Sequence, residues 1–205
     1  MSPLRLLFIA ALMTSVFPHA VAYASTPQDP HAHRDASKSF VSVPATLAVR
    51  KTLGPPPAGV AELKFRDVFK LPVGPKGLEP TEKLLALDGK RVRIVGFMVH
   101  QSPAPQGSFL LSPLPVALGD EDEGLADDLP PATLQVDLDA KSRDLTVPTL
   151  PGLLQFTGTL HVGMRADPAT GRATPAQLTL ERAPVRALRD AARAQAKPSR
   201  PRTKI

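Results

Sequence analysis

The stretch Arg91–Val99 (RVRIVGFMV) constrains this chain more than any other. Successive side chains of an extended strand point to opposite faces. Here Val92, Ile94 and Met98 make one face and Val95, Phe97 and Val99 the other, so both faces are largely apolar. That pattern suits a strand buried on both sides, or one bent at Gly96 so that each end feeds a core. Asp88-Gly89-Lys90, just ahead of it, is a turn signal.

Further strand patterns follow. Ser108–Ser112 (SFLLS) is a second, and Thr133–Leu138 (TLQVDL) a third, alternating apolar and polar as a half-buried strand does. In Leu153–Val162, Leu154, Phe156, Leu160 and Val162 line one face, and Gln155, Thr157, Thr159 and His161 the other. The turn Asp167-Pro168-Ala169-Thr170-Gly171 then leads into Ala176–Glu181, closing a hairpin. Glu62–Leu71 reads as either a strand or a helical turn, and Thr81–Leu87 as a short helix capped by Thr81. Short strands with glycines at bends predict an all-β fold, a small OB-like (oligonucleotide/oligosaccharide-binding-type) five-stranded barrel spanning residues 60–181.

The flanks read differently. Residues 1–24 have the form of a secretory signal peptide: one cation at Arg5, an apolar run from Leu6 to Phe17, and Ala22-Tyr23-Ala24 for cleavage before Ser25. An anchor would need about 18–20 apolar residues. The expected location is therefore periplasmic or secreted. Residues 25–59, with Pro27, Pro30, Pro44 and Pro55-Pro56-Pro57, read as a disordered Pro-rich leader. Residues 182–205 carry eight basic residues against Asp190 alone. Arg186, Arg189, Arg193 and Lys197 fall on one side of a candidate helix, opposite Val185, Leu188, Ala191 and Ala192. This basic tail accounts for the net charge of +6, and residues 25–181 are left mildly acidic. Electrostatic contact of the tail with an anionic membrane surface is the expectation such a charge run raises.

Leu85-Ala86-Leu87-Asp88-Gly89-Lys90-Arg91-Val92-Arg93-Ile94-Val95-Gly96-Phe97-Met98-Val99, then Phe109-Leu110-Leu111-Ser112-Pro113, then Leu129-Pro130-Pro131 with the strand after it, occur in an order that resembles an uncharacterised exported bacterial domain family. Its pattern is L-x-G-K-x-V-x-I-x-G-[FY], F-L-L-x-P and P-P. The resemblance spans about residues 62–181 and implies an OB-like fold with no assigned activity. Many such relatives carry Cys and His between the second and third motifs. This chain has no Cys anywhere and holds Gly119–Asp128 (GDEDEGLADD) there instead, so the transition-metal role of the relatives is not expected.

The absence of Cys also excludes disulfides, thiolate metal sites and a thiol nucleophile. The acidic loop 120–128 offers Asp120, Asp122, Glu123, Asp127 and Asp128 as hard-oxygen ligands, a candidate site for Ca2+ or another cation. His31 and His33 lie in the leader, His100 ends a strand, and His161 sits on a polar strand face. No G-x-S-x-G, H-E-x-x-H, P-loop or S-x-x-K motif accompanies them. A mature chain lacks Tyr and Trp, so single-stranded nucleic acid would find few stacking platforms. The function expected is a non-enzymatic periplasmic binding or accessory module, without cofactor, that docks a protein partner of the cell envelope. Arg91, Arg93 and His161 are its expected exposed contacts. A cation-binding module and an unrecognised hydrolase are the alternatives.

Overall fold

Because both faces of RVRIVGFM carry apolar side chains, interrupted on one face only by Arg91 and Arg93, this strand is the axis on which the remaining elements assemble. The computed structural model describes residues 42–49, 52–118, 129–166 and 172–196. It contains six strands: β1 (Ala61–Leu63), β2 (Arg91–Met98), β3 (Ser108–Ser112), β4 (Leu134–Asp137), β5 (Leu154–Ala166) and β6 (Ala173–Leu180). Two α-helices join them, α1 (Glu82–Ala86) and α2 (Arg182–Ala196). The result is largely β: one six-stranded mixed sheet in the order β1-β2-β3-β4-β6-β5, with β2 and β5 also paired.

β2 changes partner halfway. Arg91 to Gly96 pair antiparallel with Thr159 to Leu154 of β5, whereas Phe97 and Met98 pair with Ser112 and Leu111 of β3. The change falls at Gly96, where a Cβ would lie 2.6 Å from the Phe65 ring and 2.8 Å from the Ser112 carbonyl oxygen. Only glycine lets the strand pass through that crowded point. β3 continues antiparallel to β4, β4 runs parallel to β6, and β6 returns antiparallel to β5. Each of β2 to β6 therefore has a strand on both sides. β1 adds in parallel to the first half of β2, Ala61 opposite Val92 and Leu63 opposite Ile94.

The inward set follows the alternation of each strand. Val92, Ile94, Leu111, Leu134, Val136, Leu154, Phe156, Leu160 and Leu178 are all buried in one cluster. The Phe109 and Phe156 rings meet in it at 5.2 Å, tilted by 53°. Each such side chain contributes about 1.5–3 kcal/mol on leaving water. Thr81 caps α1 as its sequence implies, accepting from the Leu84 amide at 3.0 Å.

Two boundaries need correction. The leader, read as disordered to residue 59, joins the core well before Val60. Leu47 is buried in the main cluster, and its carbonyl accepts from the Gln155 amide at 2.8 Å. Ala48 bridges Leu154. At the other end, residues 182–196 are not a separate tail. α2 buries Pro184, Val185, Ala187, Leu188 and Ala191, four of them in the same cluster as the strands. Pro184 falls in the first turn, where an amide has no intrahelical acceptor to miss. The signal segment 1–24, the acidic loop 120–128 and the turn 167–171 lie outside the described residues. Among the described residues no helix is long and apolar enough to cross a membrane.

Candidate functional site

Strand pairing sorts the polar side chains into rows, because residues directly opposite one another in a ladder share a face. Asp137 of β4 stands opposite Ser108 of β3 and Thr179 of β6, and Thr179 opposite Thr159 of β5. Gln135, Gln177 and His161 form the next row. Their neighbours Leu134, Val136, Leu160 and Leu178 point to the core, so both rows face outward.

Above these rows lies a cleft of about 510 Å3. Its floor is Gln135, Asp137, Gln177 and Thr179, and its walls include Asp139, Arg143 and Arg165. The Asp137 carboxylate is the organising acceptor: Gln135 Nε2 donates to one oxygen at 3.1 Å and Gln177 Nε2 to the other. This ties β4 to β6 through side chains as well as backbone. Asp139 Oδ1 is buried at the rim with no hydrogen-bond partner among the described residues. The Arg143 and Arg165 side chains are exposed.

The wall at 139–145 is fixed from two directions. Gly107 (φ +66°) donates to the Leu145 carbonyl at 3.0 Å and accepts from the Leu138 amide at 2.9 Å. A Cβ on Gly107 would fall 2.5 Å from the Arg143 carbonyl oxygen, so a side chain there would displace this wall. From behind, Arg189 of α2 donates to Ser142 Oγ at 2.7 Å. The helix that reads in sequence as a basic tail therefore braces the cleft.

The sequence-predicted contacts fare unequally. His161 is exposed in the same row as Gln177. Arg91 is exposed too, but its Nε donates to Glu181 Oε1 at 2.7 Å, and that hydrogen bond and charge raise its pKa. Arg93 is not an exposed contact. It is only 5% exposed, because the chain from Gly54 to Glu62 covers the outer side of β2. Its guanidinium donates to the Gly54 carbonyl at 2.8 Å, the Pro55 carbonyl at 3.3 Å and Glu62 Oε2 at 3.3 Å. Burial pushes the Glu62 carboxyl up, but the hydrogen bonds and charges of Lys64 and Arg93 outweigh it and hold the pKa below the ordinary value. The residues that sequence reasoning missed as a site, Gln135, Asp137, Gln177 and Thr179, were visible in TLQVDL and AQLTLE as outward positions. Nothing in those patterns marked them as neighbours across β4 and β6.

His100 lies apart from this cleft, in an apolar groove of about 300 Å3 with Phe97, Val116 and Leu150. Among the described residues, no three His, Asp or Glu gather closely enough to hold a metal ion. The candidate ligands Asp120, Asp122, Glu123, Asp127 and Asp128 lie outside those residues.

No protein-family model matches the chain, and no curated protein matches it. A crystal structure of a DUF3299 family protein from Pseudomonas aeruginosa PAO1 is similar at 16% identity and a TM-score of 0.39, over 60% of this chain and 93% of that one.

Proposed function

We propose that this protein is a non-enzymatic binding module, exported after cleavage before Ser25, that docks a protein partner of the cell envelope through the Asp137 cleft. The observation that carries the reading is the outward polar floor of Gln135, Asp137, Gln177 and Thr179, walled by Arg143 and Arg165. Floor and walls together hold amides, a carboxylate and two cations, the chemistry an extended polypeptide needs for its backbone and charged side chains. In this reading the cycle of pairings β2-β3-β4-β6-β5-β2 is an OB-like five-stranded barrel, as in the exported family whose motifs the chain resembles. The cleft then sits on the strand face and the adjoining loop that barrels of this type use for ligands, a placement that rests on fold analogy.

The binding surface moves from β2, where Arg93 is covered, to the face shared by β3, β4 and β6. Nucleic acid is not the proposed occupant. Counting α2 with the domain removes the acidic balance of residues 25–181, but the mature chain still lacks the Tyr and Trp on which bases stack.

Native mass spectrometry of the mature protein, recovered gently from its host periplasm, tests this. A co-purifying polypeptide that is lost in Arg143→Glu/Arg165→Glu, yet retained in Arg186→Glu on α2, is the expected result. A bound small organic molecule in place of a polypeptide would overturn the docking reading, and so would a polypeptide indifferent to the cleft variant.

A further inference from the structure

Between β1 and α1 the chain makes a twelve-residue excursion, Phe69–Pro80 (FKLPVGPKGLEP), of which only Phe69 packs against the core. Its base is closed firmly. Phe69 bridges Pro80, the Lys70 amide donates to the Glu79 carbonyl at 2.8 Å, and the Thr81 amide to the Val68 carbonyl at 3.1 Å. Lys83 clamps Asp67 across that base at 2.6 Å, and the Thr81 hydroxyl donates to the Asp67 carbonyl. Further out, Gly74 bridges Gly77 and accepts from its amide at 3.0 Å. The excursion is therefore a braced hairpin.

Its outer half is built against the usual rule for surfaces. Leu71 is 73% exposed, Val73 54% and Leu78 44%. Leu71 and Val73 lie on the outgoing arm of the hairpin and Leu78 on the returning arm, between the Lys70–Glu79 base and the Gly74–Gly77 tip. Pro72 and Pro75 are exposed between them. Lys70 and Lys76 are exposed on either side, and no carboxylate occurs between Lys70 and Leu78.

We propose that this hairpin is a membrane-docking tip that seats Leu71, Val73 and Leu78 among the acyl chains of an anionic lipid surface, with Lys70 and Lys76 at the headgroup phosphates. Charge complementarity selects that occupant: Lys70 and Lys76 against Glu79 alone leave the hairpin net positive around its apolar tip, and such a balance favours anionic headgroups above a hydrocarbon boundary. Lysine stems also let the charge stay at the phosphates while the methylenes follow the aliphatic groups inward. A protein partner fits less well. The hairpin is a projection of twelve residues, without an aromatic or Arg anchor at its tip, whereas a standard protein interface uses about 20–30 residues a side and relies on such anchors. α2 cannot supply the apolar part of a membrane contact, because Val185, Leu188 and Ala191 are spent on the core.

The chain has no Trp, so a single introduced indole reports one place. The mature chain, starting at Ser25 and carrying Val73→Trp, is mixed with vesicles of equal parts phosphatidylglycerol and phosphatidylcholine, and with vesicles of phosphatidylcholine alone. A blue shift and quenching by brominated acyl chains, confined to the anionic vesicles, is expected. The same substitution at an exposed position of α2, Gln195→Trp, should show neither. In co-sedimentation, Leu71→Asn/Val73→Asn is expected to lose about tenfold in partitioning although its charge is unchanged. The proposal falls if only the Gln195→Trp protein is quenched, if the Asn pair binds as well as wild type, or if the Val73→Trp indole is already buried without lipid in a dimer seen by ultracentrifugation. None of these outcomes depends on what occupies the Asp137 cleft.

Discussion

At the scale of single residues, Arg93 shows how a charged position on an outward strand face can be structural. Strand alternation places it on the outer side of β2, and on a bare strand it would be a surface contact. The chain from Gly54 to Glu62 folds over that side, and the guanidinium donates to two of its carbonyls, those of Gly54 and Pro55. The charge is offset by Glu62, which Lys64 also holds at 3.4 Å. Arg93 Nε is left without a partner among the described residues, so the site is not saturated even in the folded state. Removing the guanidinium takes away these bonds and one of the two cations that compensate Glu62. Arg93→Ala is accordingly expected to cost about 2–3 kcal/mol in urea unfolding, below the full penalty of a buried pair because Glu62 keeps Lys64 and partial access to water. Arg91→Ala, exposed and tied to Glu181, should move the same midpoint far less, because an exposed pair is screened by solvent. Equal effects from the two would mean that Arg93 is not buried in solution.

At the scale of elements, the strands were legible and their clients were not. RVRIVGFM, SFLLS, TLQVDL, LLQFTGTLHV and AQLTLE each form a strand where alternation places one, and Gly96 marks a real change of partner. These features are local, written in two-residue periodicity and turn residues. What sequence reading missed depends on partners distant along the chain. Leu47 looks isolated among prolines, and only β5, more than a hundred residues later, makes it a core residue. Val185, Leu188 and Ala191 look too few to anchor a helix, yet all three are buried in the same cluster as the strands. The cleft was missed for the same reason, since Asp137 and Gln177 meet only through a parallel pairing that no hairpin signal announces. Because both attachments belong to one core, truncating either anchor should weaken the whole fold. Leu47→Ala and Leu188→Ala are each expected to lower stability by about 2–4 kcal/mol, as cavities in one shared core do. A separate leader or tail would give no change in the denaturation midpoint, and that result would restore the boundaries at 60 and 181.

For the molecule as a whole, acid should act through the region joining β1 to α1. Asp67 lies there and Glu62 just ahead of it in β1, and in both the carboxyl pKa is held below its ordinary value. At Asp67 burial again pushes upward, and is outweighed by the hydrogen bond from Lys83, then by the Lys64 amide and the charges of Lys83 and Arg66. The ordinary values of the two groups are 4.5 and 3.8. As pH falls through that range the unfolded chain takes up protons that the folded chain still refuses. The unfolded state then binds more protons, so stability drops with falling pH until the folded carboxyls protonate as well. The melting temperature should therefore be nearly level from neutrality to about pH 5.5 and decline below about pH 5. Glu62→Gln/Asp67→Asn should start from a lower melting temperature at neutral pH and decline less steeply in acid, because the linked protons are gone while other carboxylates remain. Because the Asp67–Lys83 pair also closes the base of the 69–80 hairpin, the loss should be visible there first. Hydrogen exchange at the Lys70 and Thr81 amides is expected to quicken in acid before that of the β2 and β5 amides. Simultaneous loss of protection in all four places would mean that these carboxylates hold nothing locally, and that the acid response belongs to other groups.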